Sequence, residues 1–168
     1  MITNAATGVP NVKALVYVAA FAPAKDETLM QLSTLNPGSA LGPDAFTTRP
    51  YPLPGGRKGT DLYIAEAAFH DAFAGDLPSW VAGRMQATQR PFAQEGFGES
   101  SGTPAWKTIR SWFLIPTQDH AIPPDTQRFM AERANGTVVE VRASHVAMLS
   151  RPGATTDLVL EAARSIDS

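Results

Sequence analysis

The sequence predicts an α/β fold built on a parallel sheet, and three observations carry that expectation. Ala14 to Phe21 is a continuous apolar run ended by Pro23, the pattern of a strand covered on both faces. From Ser111 onward, strand and helix patterns alternate in the order that builds half of a doubly wound sheet. Between these regions, from Pro23 to Pro104, fall nine of the fourteen prolines and most of the glycines, and the alternation stops.

In chain order, the segment from Met1 through Ala6 reads as a helix finishing at Thr7, closed by Gly8 and Pro10. Ala14 to Phe21 follows as a central strand. Within the proline-rich stretch, Asp26 is positioned to cap a helix from Glu27 to Leu35. Glu66 to Phe73 sets Ala67, Phe69, Ala72 and Phe73 on adjacent turns, and Pro78 opens a helix running to Gln89. These pieces define an inserted, mainly helical cap over residues 23–104, between core segments 1–22 and 105–168. Ser111 to Ile115 is the next strand, followed by a helix with Asp125 near its start and Asn135-Gly136 at its end. Thr137 to Val141 is a further strand. Thr155 or Thr156 then caps a last helix carrying Leu158, Val159, Ala162 and Ile166.

Composition removes several classes of function. The 168 residues suit one domain, and a net charge of −2 with scattered Lys and Arg gives nucleic acid nothing to bind. The absence of cysteine excludes disulfides, thiolate nucleophiles and Cys-ligated zinc. Three histidines without ligand spacing imply no metal, and no motif calls for a cofactor. The longest apolar run, Ala14 to Ala22, is far short of the ~20 residues that span a bilayer, and no export signal precedes it. A soluble cytoplasmic protein with no membrane partner is expected.

The chemistry concentrates near the C-terminus. Asp119 lies just past one parallel strand and His145 just past the next, so both should reach the rim of the sheet where ligands of such folds sit. A histidine can take and return a proton near neutral pH, and it needs a carboxylate to fix its tautomer and stabilise the imidazolium. Taken singly, each residue reads more simply as a loop group; the order acid then base, each after a strand, points to a catalytic pair. Gly98-Glu99-Ser100-Ser101-Gly102 matches a nucleophile pattern, but glycines precede it and Pro104 follows, so no strand-turn-helix elbow fits and a loop is expected. His70 and His120 read as surface histidines. Trp80, Met85, Phe92 and Phe97 are candidates to line an apolar substrate pocket under the cap.

On the segments Leu15 to Pro23, Phe113 to Pro124, and Ser144-His145-Val146-Ala147-Met148-Leu149 with Pro152, the chain resembles the plant methyl esterase and hydroxynitrile lyase group of the α/β-hydrolases and its bacterial relatives. The resemblance implies the C-terminal portion of a doubly wound parallel-sheet α/β-hydrolase fold with an inserted cap, Asp119 as acid and His145 as base. It further implies a nucleophilic serine on a Gly-His-Ser-Tyr/Phe-Gly-Gly elbow a few residues before Met1, together with the oxyanion donors. Lyase members of the group have a lysine directly after the base; Val146 stands there, which favours ester hydrolysis of a small-molecule ester. The chain alone is then expected to be inactive. The bare edge of the Ala14 to Phe21 strand should be covered by a second copy, a separate N-terminal fragment or rearranged local chain. The alternatives are a non-catalytic protein that binds a small molecule or partner, and a hydroxynitrile lyase-like enzyme.

Overall fold

The computed structural model describes residues 2–166. Its elements are α1 (Ile2–Ala5), β1 (Leu15–Val18), α2 (Leu29–Ser33), β2 (Phe46–Pro52), β3 (Lys58–Ile64), α3 (Glu66–Phe73), α4 (Ser79–Thr88), β4 (Phe92–Ala93), β5 (Ser111–Pro116), α5 (Pro124–Arg133), β6 (Thr137–Val141), α6 (Ala147–Ser150) and α7 (Pro152–Arg164). They form two three-stranded sheets, a parallel one in the order β1-β5-β6 and an antiparallel one in the order β2-β3-β4.

Strand β5 is the middle of the parallel sheet, and all six of its residues are buried. Alternation sends Trp112 and Leu114 to one face, where they meet Leu158 and Ala162 of α7, and Phe113 and Ile115 to the other, against Met130 and Ala131 of α5. Tyr17 of β1 stacks on Phe113 with ring centroids 4.7 Å apart. Gly136 is required beside that pair, because a Cβ there would lie 2.5 Å from the Phe113 ring. The turn into β6 therefore packs against the core with no side chain between.

Several boundaries differ from the sequence expectation, each for a local reason. The apolar run to Phe21 yields a strand ending at Val18, because Ala19 takes a left-handed φ of 46° and turns the chain away. Within the described residues β1 is an edge and β5 the centre. The cap of α2 is Thr28, reciprocated by Gln31, and Asp26 instead occupies a left-handed turn (φ 67°). The last helix starts at Pro152, a first-turn proline, ahead of Thr155. The opening helix spans Ile2–Ala5, with Gly8 left-handed after it, and Met1 lies outside the described residues.

The largest departure is in residues 23–104, where an antiparallel sheet accompanies the expected helices. Prolines hid its strands. Pro50 and Pro52 lie within β2, which is an edge strand, and they fall on alternate positions of one side, where no neighbour needs an N–H. The side chain of Gln89 ties this sheet to the end of α4: Ile64 N–H donates to Gln89 Oε1 at 2.8 Å, and Gln89 Nε2 donates to the Ile64 carbonyl at 2.9 Å. The start of the segment is pinned to the core by Arg133, whose guanidinium donates to Glu27 Oε2 at 2.6 Å and to the Ala22 carbonyl at 2.9 Å.

No helix among the described residues is long and apolar enough to cross a membrane. Among them, too, no group of three or more His, Asp or Glu could hold a metal ion.

Candidate active site

Strands β5 and β6 remain laced beyond their formal ends. Thr117 N–H donates to the Val141 carbonyl at 2.9 Å and Gln118 N–H to the Ala143 carbonyl at 3.0 Å. This lacing sets the loop after β5 beside the loop after β6 and brings Asp119 to His145.

Asp119 is wholly buried, and four donors surround its carboxylate. Oδ1 accepts the N–H groups of Ala121 (2.8 Å) and Ile122 (3.0 Å), a local turn that the aspartate closes on its own backbone. Oδ2 accepts Gln127 Nε2 (2.8 Å) and lies 2.9 Å from His145 Nδ1. A carboxylate can only accept, so the histidine proton sits on Nδ1 and the lone pair of Nε2 is free to take another. Among the described residues no hydroxyl bonds to the imidazole.

The loop carrying His145 takes its contacts from α3 and the turn after it. The ring of Phe73 lies on the His145 ring, centroids 4.5 Å apart. Val146 is buried with Phe69, Ala74 and Ala82. The hydroxyl of the buried Ser144 donates a hydrogen bond to the Asp76 carboxylate. Partial desolvation works to raise the Asp76 pKa; hydrogen bonds led by the Ser144 hydroxyl outweigh it and hold the carboxyl below its usual range.

His145 faces a largely apolar cavity of about 1410 Å³, walled by Ala19, Ala20 and Phe21 after β1, by α2, and by the antiparallel sheet. Among the described residues, the only full charge in the lining is Arg90, and no aspartate or glutamate contributes. Of the apolar candidates, Met85, Phe92 and Phe97 line this cavity, and Phe97 packs edge-on to Phe92 at 4.8 Å. Trp80 does not: it is 66% exposed on the outer side of α4, so the expectation of a pocket contact is corrected. Pro78 starts α4 such that the buried position is Ala82, leaving Trp80 outward.

Ser100 is exposed in a segment without helix or strand and does not line the cavity that His145 faces, while its neighbour Ser101 donates to Asn4 Oδ1 at 3.0 Å. His70 is a brace, its Nε2–H donating to the Leu77 carbonyl at 2.8 Å, and His120 pairs at the surface with Asp71 at 3.6 Å. Neither lines the cavity. Two residues were missed by sequence reasoning. Gln127 is buried on the inner face of α5, in register with Met130 and Ala131, a polar residue on an apolar stripe that signals a buried partner. Asp76 gives no sequence signal, because only the folded turn after α3 aims it at Ser144.

A family model described as alpha/beta hydrolase family matches residues 1–158. The chain belongs to the alpha/beta hydrolase family. Among solved alpha/beta hydrolase-like structures, polyneuridine aldehyde esterase superposes with a TM-score of 0.74 at 14% identity, covering 92% of this chain and 64% of that one. A pyrethroid hydrolase from Sphingobium faniae JZ-2 gives 0.70 at 21% identity, over 95% of this chain and 64% of the other. An extracellular alpha/beta-hydrolase from a Paenibacillus species gives 0.64 at 20%, over 92% and 63%. At these identities the likeness is one of fold. The chain spans just under two thirds of the length of each of these structures. No curated protein matches the sequence.

Proposed function

We propose that this chain carries the acid and the base of a serine-type carboxylic ester hydrolase. The observation that supports this reading best is the contact of the buried Asp119 Oδ2 with His145 Nδ1 at 2.9 Å, made where two adjacent parallel strands end at an apolar cavity. In this mechanism His145 Nε2 takes the proton of an attacking serine hydroxyl and later gives it to the departing alcohol. Asp119 keeps the ring in the Nδ1–H tautomer and stabilises the imidazolium that forms. The serine and the oxyanion donors come from outside the described residues, on the family's elbow. An uncharged ester suits a lining in which no acid would attract a cation. Val146 directly after the base, in place of a lysine, favours hydrolysis over cyanohydrin cleavage.

Residues 23–104 act in this reading as a cap over the core of 1–22 and 105–168. The N–H and C=O groups of Val16 and Val18 point away from β5, so a further strand completes the sheet there, from a second copy or another fragment. Light scattering of the chain with and without a fragment carrying the elbow tests this: a monodisperse monomer with rapid amide exchange at Val16 and Val18 in both samples would contradict it.

The activity test uses p-nitrophenyl acetate. The chain alone should not exceed the buffer rate, and the enzyme assembled with its serine-bearing part should lose on the order of 10⁶ in turnover on His145→Ala. Hydrolysis by the chain alone that His145→Ala abolishes would refute the division of labour. The cavity favours one other reading, ligand binding without turnover. Saturable binding of an apolar ester that the assembled protein leaves intact would decide for it.

A further inference from the structure

We propose that Asp76 is a positioning residue for His145: through the Ser144 hydroxyl it fixes the loop from which the imidazole reaches Asp119. The proposal rests on the reading of His145 as the base. It starts from an asymmetry in how the loop 144–146 is held. Each of its three residues takes a contact from α3 or the turn that follows it: Ser144 from the Asp76 carboxylate, His145 from the Phe73 ring, Val146 from Phe69 and Ala74. The packing contacts set the distance of the loop from α3, but apolar contacts are non-directional. Of these contacts from α3 and its turn, only those between Ser144 and Asp76 are hydrogen bonds and so directional, and Ser144 is bonded directly to the histidine. A charged acceptor makes this bond stronger than a neutral one would.

The turn that presents Asp76 is itself rigid. Ala74 N–H donates to the His70 carbonyl at 3.0 Å, Leu77 N–H to the Ala74 carbonyl at 3.0 Å, and the His70 ring to the Leu77 carbonyl at 2.8 Å. Asp76 is exposed overall, so burial does not explain its place; its carboxylate reaches inward to the hydroxyl of Ser144, a residue only 3% exposed. The inference has a consequence for the whole segment 23–104. The loop of the imidazole is held on all sides only while α3 is seated, so docking of this segment over the cavity also helps to set the base.

The test reads His145 directly and needs no serine. In the 168-residue chain the His145 Nδ1–H should give a downfield proton resonance that Asp119→Asn removes. In Asp76→Asn and in Ser144→Ala its exchange with water should quicken by about tenfold, the loss expected for one hydrogen bond to a charged group, while backbone amides of β5 exchange as before. In the assembled enzyme, kcat for p-nitrophenyl acetate should fall by the same factor with KM unchanged, and Asp76→Glu should recover part of it. Unchanged exchange at His145 in both variants would overturn the proposal. So would an equal quickening of all amides, which would mark a general loss of stability. Absence of the downfield signal from the unmodified chain, or its survival in Asp119→Asn, would instead sink the acid and base reading, and this proposal with it.

Discussion

The carboxylate and the imidazole touch, yet different parts of the chain hold them. Asp119 is fixed by its own neighbourhood: two backbone N–H groups within three residues of it and Gln127 on the helix that immediately follows. His145 has local anchors too, the lacing of β5 to β6 and the Leu149 N–H on the Val146 carbonyl at the start of α6, but it also takes contacts from residues some seventy positions earlier, in a segment that interrupts the sheet. A site built this way has one member placed by sequence-local folding and one placed by long-range packing. The first should survive damage to residues 23–104 and the second should not.

Four substitutions break or sharpen that contrast. The largest effect should come from Asp119→Asn: with its oxygen held by the Ala121 and Ile122 N–H groups, the amide turns a donor toward Nδ1 and favours the wrong tautomer, and turnover of the assembled enzyme should drop by about 10⁴, read as kcat on p-nitrophenyl acetate. Next, Phe69→Ala empties a buried aromatic site shared with Val146 and should cost about 3–5 kcal/mol in urea unfolding. Its NMR shift changes should gather at 144–146 and spare 119–122; equal changes in both loops would erase the distinction drawn above. Gln127→Ala tests the other side. It leaves a buried carboxylate one donor short and should cost about 1–3 kcal/mol, with shifts confined to the acid loop and α5.

The smallest effect should come from Glu27→Gln, at the root of residues 23–104. The hydrogen bond from Arg133 lowers the Glu27 pKa, outweighing a desolvation that raises it. Because the folded value lies below the ordinary 4.5, the stabilisation is fully present above that pH and is lost as pH falls through the folded value. The variant should be less stable than the parent at neutral pH, by under about 1 kcal/mol for a partly exposed pair, and equal to it in strong acid. A difference that persists unchanged at low pH would show that the charge is not the cause.

The two halves of this contrast also differ in how far the sequence reveals them. Strands β5 and β6, the helices after them and the convergence of Asp119 with His145 follow from local periodicity, because each is a short apolar run with its own stop signals. The antiparallel sheet does not announce itself: Pro50 and Pro52 read as breakers, and only the pairing of β2 along one side makes them compatible with a strand. Trp80 fails for a related reason, since apolar character alone cannot tell the inner from the outer side of a helix whose buried contact is a single alanine, Ala82. Asp76 lies beyond sequence reading altogether, because its value is a direction in space that arises only when the turn after α3 meets the loop after β6.

The prolines of β2 carry one more consequence. Half of the outward amides along that strand do not exist, so a stray chain that approaches this border finds too few donors to zip onto it. Pairing along the β2 border is therefore disfavoured, while the rim of β1 presents the Val16 and Val18 amides to a neighbour. Misassembly during production should therefore begin at β1, and that is where a solubilising substitution, or a donated strand, has the most to gain.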